Sequence, residues 1–587
     1  MVIWDLDDTF WRGTLTEGSI TVDPQHINII VTLAGRGIVS SICSKNNYIQ
    51  VQRMLEQYGI WDFIVFPHID FTAKGIAINS IIEQANLRPD NVLFIDDNRL
   101  NLEEAKYFVP NLMTAHPHDI LPTLLDQPNA RGKDDPDFVR LLQYKQLQKK
   151  VSDQVRSQLK QEDFLRQCDI RVGIDINVEE HLDRIVELIN RSNQLNFTKI
   201  RLETDHARDS FKRLLREYGV HVGVVRVTDK YGDYGIVGFF MTRRTFSDYS
   251  LEHFVFSCRV MNMGIEQYVY EVLGKPRCRI VPPVANGLES FEKVDWISAL
   301  ESAVGVLTGV SDQKLLLLGT CDLLQVATYC STNRVEYVNH ELNGEMAGYG
   351  DVGFILGNRE ALKASAILPK LPCWQAETAL DFDKNAKDSE TVVVSLFEAL
   401  RGCYALLEDD VLIRVLPRHL FRPRAEMPYL ERCTFLDLKD EQKVTLMGRA
   451  LDRIVRLSPQ AKNRFLLGAS TKAIFDPSGR RPRYNAWAAD YCARNLGFQF
   501  IPIDDLISEK DVISPDGHFT REAYYKIASR LIGVRRDSAT YTDVGECPMQ
   551  NDHDAWRDIT ATAEILSLVE GGFMKKDQLL SLSSIIS

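Results

Sequence analysis

Short apolar runs alternate with amphipathic segments over residues 1–125, and this alternation constrains the fold more than any other feature of the chain. The runs VIW, GIVSSIC, FIVFPH and NVLFID are typical of buried strands. Between them, NIIVTLAG, YIQVQRMLEQYG and GIAINSIIEQANL repeat apolar residues at the i, i+3, i+4 spacing of helices. Strands that alternate with helices predict a parallel, doubly wound α/β sheet.

Three aspartates, Asp5, Asp7 and Asp8, lie within four residues directly behind the first apolar run. Like carboxylates at the end of a buried strand raise one another's pKa and cost free energy unless a cation compensates them. Since ligands gather at the carboxyl ends of parallel strands, the cluster predicts a metal site at that edge. A carboxylate there can attack phosphorus, and a second one two residues on can protonate the leaving group.

The other groups that phosphoryl chemistry needs follow in order along the chain. Ser44, at the end of the second predicted strand, offers a hydroxyl, and Lys74, at the start of a helix, offers a cation. Asp96 and Asp97 end a further strand and offer oxygen ligands for Mg²⁺. Only 36 residues separate Asp7 from Ser44, and 29 separate Ser44 from Lys74. No substantial cap domain fits into these intervals, so we expect an open site.

This set of motifs resembles the haloacid dehalogenase superfamily. The resemblance implies that Asp5 is the nucleophile, Asp7 the general acid/base, Ser44 the phosphate-binding hydroxyl and Lys74 the charge-neutralising lysine. It also implies that the Mg²⁺ ligands are Asp5, Asp7, Asp96 and Asp97. The alternative is that the aspartates belong to solvated loops and that Lys74 is a surface residue.

Three further segments narrow the resemblance: RSNQLNFTKIRLE (191–203), DKYGDYGIVGFF (229–240) and FVFSCRVMNMGIEQYVYEVL (254–273). Together with DLDDTFWRGTLTEG and FIDDN, they resemble the FkbH-like family over roughly residues 1–275. The resemblance implies a capless phosphatase domain joined to an acetyltransferase-like (GNAT-like) α+β domain. It also implies transfer of a glyceryl group from 1,3-bisphosphoglycerate, with removal of phosphate, to the thiol of an acyl carrier protein.

The loop that contains Arg259, Asn262 and Gly264 is the predicted cofactor site. In acetyltransferase folds, a Q/R-x-x-G-x-G/A loop holds the coenzyme pyrophosphate, so the ligand here would be coenzyme A or the phosphopantetheine of a carrier protein. Asn262 replaces the first glycine, and asparagine tolerates a left-handed backbone better than most residues. The alternative is a bare strand–helix turn. Cys258 and Cys43 are the candidate thiols for thioester transfer. The alternative is that each is a buried cysteine that packs as a small apolar residue.

The region 311–540 again alternates strands with helices and resembles SGNH-type hydrolases. Gly319, Thr320 and Cys321 lie between a strand and a helix, and Asp516 and His518 precede a late helix. Cysteine here replaces the serine of that fold, and the acid–histidine spacing is Asp-x-His instead of Asp-x-x-His. We hypothesise that Cys321, His518 and Asp516 catalyse acyl transfer. A degenerate docking domain is the alternative.

Composition and charge argue against several other classes. The 587 residues are 45% hydrophobic and 26% charged, as in soluble globular proteins. The net charge of −12 is unlike that of a general nucleic-acid binder. The sequence has neither an 18-residue apolar stretch nor a signal-peptide pattern. Eleven cysteines without a CxxC pair suit a reducing cytoplasm. We therefore expect a cytoplasmic enzyme with no nucleic-acid or membrane partner.

These patterns predict an α/β multidomain protein. The expected divisions are a HAD-like phosphatase domain (1–125), a helical linker (126–168), a GNAT-like domain (169–275), a linker (276–310), an SGNH-like domain (311–540) and a C-terminal tail (541–587). Two other functions remain open at this point. One is a phosphatase or acyltransferase that acts on a small sugar or metabolite without a carrier protein, and the other is a non-catalytic scaffold.

Overall fold

A computed structural model describes most of the chain up to residue 532. The described residues are 1–16, 18, 20–157, 159–245, 248–300, 313–330, 333–338, 340–342, 345–347, 352–370, 381–400, 403–408, 411–415, 431–472, 476, 479–513 and 518–532. The predicted tail (541–587) and Asp516 lie outside them. Within these ranges, no helix combines the length and the apolar content needed to cross a bilayer.

The first region, residues 1–157, is a parallel sheet with helices on both faces. The strands of the region are β1 (Val2–Trp4), β2 (Trp11–Arg12), β3 (Thr21–Val22), β4 (Ser40–Ser44), β5 (His68–Ile69), β6 (Leu93–Ile95) and β7 (Met113–Ala115). Strands β2 and β3 form a separate antiparallel pair, and the other five form the parallel sheet. Its helices are Pro24–Gly35, Tyr48–Gln57, Lys74–Gln84, Arg99–Phe108, Pro117–Ile120 and Val139–Ser157. Among the described strands the sheet order is β5-β4-β1-β6-β7, and every neighbouring pair is parallel.

Both faces of this sheet are buried, as its near-continuous apolar strands predict. Side chains alternate across a strand, so Ile3 packs into one core and Trp4 into the other. The parallel α/β prediction for this region is confirmed. The interval between Asp7 and Ser44 holds the antiparallel pair β2–β3 and the helix Pro24–Gly35. The carboxyl edge of the sheet therefore has no inserted domain in that interval.

The segment predicted as a helical linker (126–168) forms two helices, Val139–Ser157 and Gln161–Arg166. The first of these packs onto the sheet through Leu141, Tyr144 and Leu147, which are each at most 7% exposed. The side chain of Gln148 also accepts a hydrogen bond from the backbone N–H of Phe66 at 3.1 Å. This helix is therefore part of the first core.

We expect a fragment of residues 1–125 to be less stable than a fragment of residues 1–157. The shorter fragment uncovers the apolar face that Leu141, Tyr144 and Leu147 cover, and each such side chain contributes about 1.5–3 kcal/mol when fully buried. Urea unfolding of the two fragments, followed by circular dichroism, measures the difference. Equal midpoints would contradict a structural role for the helix.

The middle region, residues 169–300, is built on a mainly antiparallel sheet. Its strands are β8 (Ile170–Asp175), β9 (Val220–Asp229), β10 (Gly232–Arg244), β11 (Tyr249–Phe256), β12 (Arg277–Cys278) and β13 (Ile297–Ala299). Its helices are Leu182–Arg191, Asp205–Leu214 and Ile265–Val272. The described sheet order is β12-β11-β10-β9-β8-β13. The segment predicted as a linker (276–310) supplies β12 and β13 and buries Trp296 in the core of this region.

The third region, residues 313–532, contains a second parallel sheet. Its strands are β14 (Leu315–Gly319), β15 (Arg334–Val338), β16 (His340–Leu342), β17 (Glu345–Ala347), β18 (Thr391–Val394), β19 (Cys403–Leu407), β20 (Leu412–Val415), β21 (Cys433–Leu436), β22 (Asn463–Leu467) and β23 (Gln499–Ile501). Its helices are Asp322–Thr328, Val352–Leu356, Arg359–Ala364, Phe382–Asp388, Asp440–Leu457, Arg480–Arg494 and Arg521–Leu531. The parallel sheet has the described order β15-β14-β18-β22-β23, and β19, β20 and β21 form a small antiparallel sheet that the sequence did not indicate.

Candidate active site

The carboxyl edge of the first sheet gathers the residues that the sequence places at strand ends. Asp5 follows β1, Ser44 ends β4, and Asp96 and Asp97 follow β6. Strand β1 lies between β4 and β6 in parallel register, so the three carboxyl ends meet. Lys74 is the first residue of the next helix and points back into the same edge.

The Lys74 ammonium is the buried centre of this group. Its Nζ lies 2.5 Å from Oδ1 of Asp5 and 3.3 Å from Oδ2 of Asp96, and it donates to the backbone carbonyl of Cys43 at 2.6 Å. Lys74 is only 2% exposed. Burial by itself lowers the pKa of Lys74, but the Asp5 carboxylate leads the charges that raise it overall. Lys74 is therefore a fixed cation, and it is not a surface residue.

Carboxylate oxygens of Asp5, Asp96 and Asp97 lie within 4.8 Å of one another. Burial raises the pKa of Asp5 to about 6, against the attraction of Lys74 and with a further rise from Asp96. Burial and the Asp96 charge also raise the pKa of Asp97. Three carboxylates and one ammonium leave an excess of negative charge, and hard oxygen ligands suit Mg²⁺. This donor set therefore fits a magnesium ion.

The carboxylate of Asp7 does not belong to that acidic group. Its Oδ1 accepts hydrogen bonds from the indole N–H of Trp11 at 2.8 Å and from the backbone N–H of Leu15 at 3.1 Å. Its Oδ2 accepts from Nδ2 of Asn46 at 3.0 Å. Asp7 is thus not among the residues whose ligand atoms lie within 4.8 Å of one another, and its predicted role as an Mg²⁺ ligand stays a prediction. It lies on the Ser44 side of the site, and its role as general acid/base stays a prediction.

Three polar side chains that sequence reasoning missed hold the site in place. Asn46 is 2% exposed and donates from Nδ2 to both Asp7 and Oγ of Ser44, the latter at 3.1 Å. The Thr9 hydroxyl bonds with Asp97, and Nδ2 of Asn101 bonds with Asp96. In the sequence, each of the three lies two to five residues after a predicted site residue. The sequence does not show which residues near a predicted site residue have side chains that point into the site.

We expect Asn46→Ala to lower phosphatase turnover by about 10- to 100-fold, the usual scale when a residue that orients a site is lost. The change removes the hydrogen bonds that fix Asp7 and Ser44, while the acidic group stays intact. Steady-state assays with a generic phosphate ester measure the effect. The control is Asn47→Ala, since Asn47 caps the helix Tyr48–Gln57 and should cost stability without comparable loss of turnover. Equal turnover in the two variants would contradict the orienting role of Asn46.

The two candidate thiols of the transfer reaction lie in different surroundings. Cys43 is 1% exposed in the apolar core, and burial raises the pKa of its thiol to about 12. Its side chain faces away from that of Ser44, because neighbouring residues alternate across a strand. Cys258 begins a short 3₁₀ turn, Cys258–Val260, and is partly exposed, although burial raises its pKa as well. Both are protonated at neutral pH.

The predicted cofactor loop has the expected backbone. Asn262 has a φ of 61° and Gly264 a φ of 79°, so asparagine adopts the left-handed conformation that glycine usually supplies. Arg259 is partly exposed; its Nε donates to Oγ of Ser257 at 3.3 Å, and its Nη1 atom is buried with no hydrogen-bond partner among the described residues. Burial, together with Arg184, lowers the pKa of Arg259 to about 10. The guanidinium is still charged at neutral pH.

The structure also brings Cys321 and His518 together, although 196 residues lie between them in the sequence. The Sγ of Cys321 lies 3.6 Å from Nε2 of His518, and both residues are partly exposed. Gly319 precedes this turn at a φ of 141°, and a Cβ there would lie 2.1 Å from the carbonyl oxygen of Ser395. The catalytic role of the pair stays a prediction, and the predicted third member, Asp516, is outside the described residues.

Comparisons with known proteins add little to this geometry. No family model and no curated protein matches the chain. Among solved structures, the chain is similar to the N-terminal part of a Bacteroides fragilis protein that contains a phosphatase domain and was crystallised in complex with Mg. The identity is 22%, the match covers 24% of this chain and 38% of that one, and the TM-score is 0.18. The function of the site therefore has to follow from its own residues.

Proposed function

We propose that this chain removes phosphate with Mg²⁺ and transfers a glyceryl-type acyl group from 1,3-bisphosphoglycerate to the thiol of an acyl carrier protein. The observation that supports phosphate removal is the group of Asp5, Asp96 and Asp97, in which the buried Asp5 and Asp96 pair with the buried Lys74 and Asp97 is partly exposed. Burying so many charges costs free energy that a scaffold would have no reason to retain. Mg²⁺ bound by the three carboxylates would neutralise charge on the phosphoryl oxygens.

Each residue of this site has a chemical task in the proposed reaction. An oxygen of Asp5 bonds to the phosphorus of the phosphate ester at C3, and the bond from that phosphorus to the glyceryl oxygen breaks, while the acyl phosphate at C1 stays intact. Asp7 gives a proton to that oxygen, and later takes one from the water that releases phosphate from Asp5. The Ser44 hydroxyl and the Lys74 ammonium hold the phosphoryl oxygens in place.

The acyl half of the proposal rests on the middle region. The carrier thiol attacks the carbonyl carbon of the acyl phosphate, the carbon–oxygen bond to phosphate breaks, and the thiol proton leaves with the phosphate. The Nη1 atom of Arg259 is buried and has no partner among the described residues, and the phosphate of a phosphopantetheine arm would accept its hydrogen bond. Cys258 lies beside Arg259 and would be the relay thiol if transfer takes two steps.

The test is incubation of the full chain with Mg²⁺, 1,3-bisphosphoglycerate and a phosphopantetheinylated acyl carrier protein, followed by intact-protein mass spectrometry. We expect a glyceryl group on the carrier and none on the same carrier without its phosphopantetheine arm. Phosphate release without any acylated carrier would favour the alternative of a metabolite phosphatase. Absence of both phosphate release and acylation would contradict the proposal.

A further inference from the structure

The turn at Cys321 lies against the middle region of the chain as well as within the third. Tyr218, which precedes β9, stacks on the imidazole of His518 with ring centroids 4.0 Å apart and planes 25° apart. The Tyr218 hydroxyl also donates to the backbone carbonyl of Cys321 at 3.3 Å. One side chain of the middle region therefore touches both members of the cysteine–histidine pair.

Buried polar contacts fix the two regions against each other around this point. Arg521, three residues after His518, donates to the carbonyls of Ile176 at 3.1 Å and Leu215 at 2.6 Å and pairs with Glu179. Such a buried guanidinium would be costly without these partners, so the interface is specific. The helix that follows His518 is thus anchored to the middle region.

A second set of contacts lies on the other side of the Cys321 turn. His221 is buried, and its ring nitrogens hydrogen-bond with the Tyr329 hydroxyl at 2.8 Å and with the side chain of Gln325 at 2.5 Å. Gln325 and Tyr329 belong to the helix that Cys321 precedes and to its C-terminal cap. The helix that follows Cys321 and the helix that follows His518 therefore both pack against the middle region.

We propose that Cys321 and His518 form a second catalytic centre, a thiol-dependent site for acyl esters or thioesters, which is complete only when Tyr218 of the middle region covers it. Three observations carry this: the 3.6 Å contact, the partial exposure of both side chains, and the stacking and hydrogen bond from Tyr218. Tyr218 is a positioning residue, since it acts through the other two. The centre is independent of the phosphate site.

The reaction needs no redox partner. His518 takes the thiol proton at Nε2, and the Cys321 sulfur bonds to the carbonyl carbon while the bond to the leaving oxygen or sulfur breaks. The leaving group takes the proton from His518, and the acyl group stays on Cys321. Water or an alcohol then gives its proton to His518, its oxygen bonds to the carbonyl carbon, and the carbon–sulfur bond breaks. The proton returns to Cys321.

Asp322 lies close enough to Cys321 and His518 for the three to bind a metal ion. The Asp322 carboxylate, however, already accepts a hydrogen bond from the Tyr524 hydroxyl. Burial raises the pKa of Tyr524, so that this hydroxyl stays a donor at neutral pH. A metal site here would need the Asp322 carboxylate as a third ligand. Thiol chemistry needs only Cys321 and His518. Thiol chemistry is therefore the inference, and zinc content is an outcome of the test.

The experiment uses the full chain with two probes, p-nitrophenyl acetate and an acetyl thioester of N-acetylcysteamine. Mass spectrometry after a short reaction should locate an acetyl group on Cys321. Cys321→Ala and Cys321→Ser should abolish that label, and His518→Asn should lower the acylation rate by about 100-fold or more. The control is Cys492→Ala, because Cys492 is a partly exposed cysteine of the same region. That variant should acylate at the rate of the wild type.

The role of Tyr218 is tested by the pH dependence of iodoacetamide alkylation at Cys321. A substitution that only lowered the stability of the fold would not shift the midpoint of this pH dependence. Tyr218→Ala should move the alkylation midpoint toward that of an unpaired thiol, and Tyr218→Phe, which keeps the stacking, should move it less. Phosphate release should stay unchanged in every variant, which separates this centre from the phosphate site. Acetyl label retained in Cys321→Ala, stoichiometric zinc in the purified protein, or an alkylation profile equal to that of Cys492 would overturn the proposal.

Discussion

Asp5→Asn is expected to lower phosphate release on the order of 10⁴-fold or more, the scale at which a catalytic nucleophile is lost. An amide oxygen does not attack phosphorus, and the amide also removes one negative charge from the donor set for Mg²⁺. The fold should survive, because the substitution keeps the shape of the side chain. It also relieves the repulsion from Asp96 that helps to raise the pKa of Asp5 to about 6.

The matched control for this prediction is Asp8→Asn in the same motif. Asp8 is exposed, its φ of 50° is one that asparagine tolerates, and its Oδ1 accepts a hydrogen bond from the backbone N–H of Gly13 at 2.8 Å. We expect this variant to keep turnover within a few-fold of the wild type. Phosphate release from a generic ester, at equal protein concentration, measures both variants. Turnover of Asp5→Asn within ten-fold of the wild type would contradict the nucleophile assignment.

Lys74→Met is expected to destabilise the protein by about 3–5 kcal/mol in the absence of divalent cations, because breaking a buried ion pair leaves uncompensated charge. The carboxylates of Asp5 and Asp96, which now share the Lys74 ammonium, would face each other with nothing between them. Mg²⁺ binds only the folded state of such a site and should therefore restore part of the stability. Turnover should still be lost, since no ammonium remains to hold the phosphoryl oxygens.

Urea unfolding of the wild type and of Lys74→Met, each with and without Mg²⁺, measures this effect. The stabilisation by Mg²⁺ should be larger in the variant than in the wild type. Lys106→Met is the control: Lys106 is exposed and pairs with the exposed Glu103 on the same helix, so its loss should cost less than about 0.5 kcal/mol. Equal responses of the wild type and Lys74→Met to Mg²⁺ would mean that the carboxylates do not bind the ion together.

The sequence by itself determined the fold of the first region and which strand ends meet at one edge of its sheet. Strands that alternate with helices leave few solutions other than a parallel sheet, and parallel strands put their carboxyl ends at one edge. Asp5, Ser44 and Asp96 are therefore neighbours for a topological reason, which strand ends in a sequence reveal. The same reasoning located the strand–turn–helix at Cys321.

Only the tertiary structure decided where individual side chains turn. Asp7 and Asp5 are two residues apart, yet the Asp7 carboxylate accepts hydrogen bonds from Trp11 and Asn46 and is not part of the acidic group. Cys43 and Ser44 are adjacent, but strand alternation buries the thiol of Cys43 in the core. Such orientations depend on packing partners that are distant along the chain, so local pattern does not specify them.

The structure also decided which segments join separate regions. The helix Val139–Ser157 reads as a polar, charged linker, and a narrow apolar stripe is enough to fix it to the first core. Tyr218 carries no sequence signal, because its partners, Cys321 and His518, lie about 100 and 300 residues further along the chain. Contacts between regions are set by shape and charge across two folded surfaces. Periodicity and spacing in a sequence describe one helix or strand at a time. They therefore predicted helices and strands but not the interface between the middle and third regions.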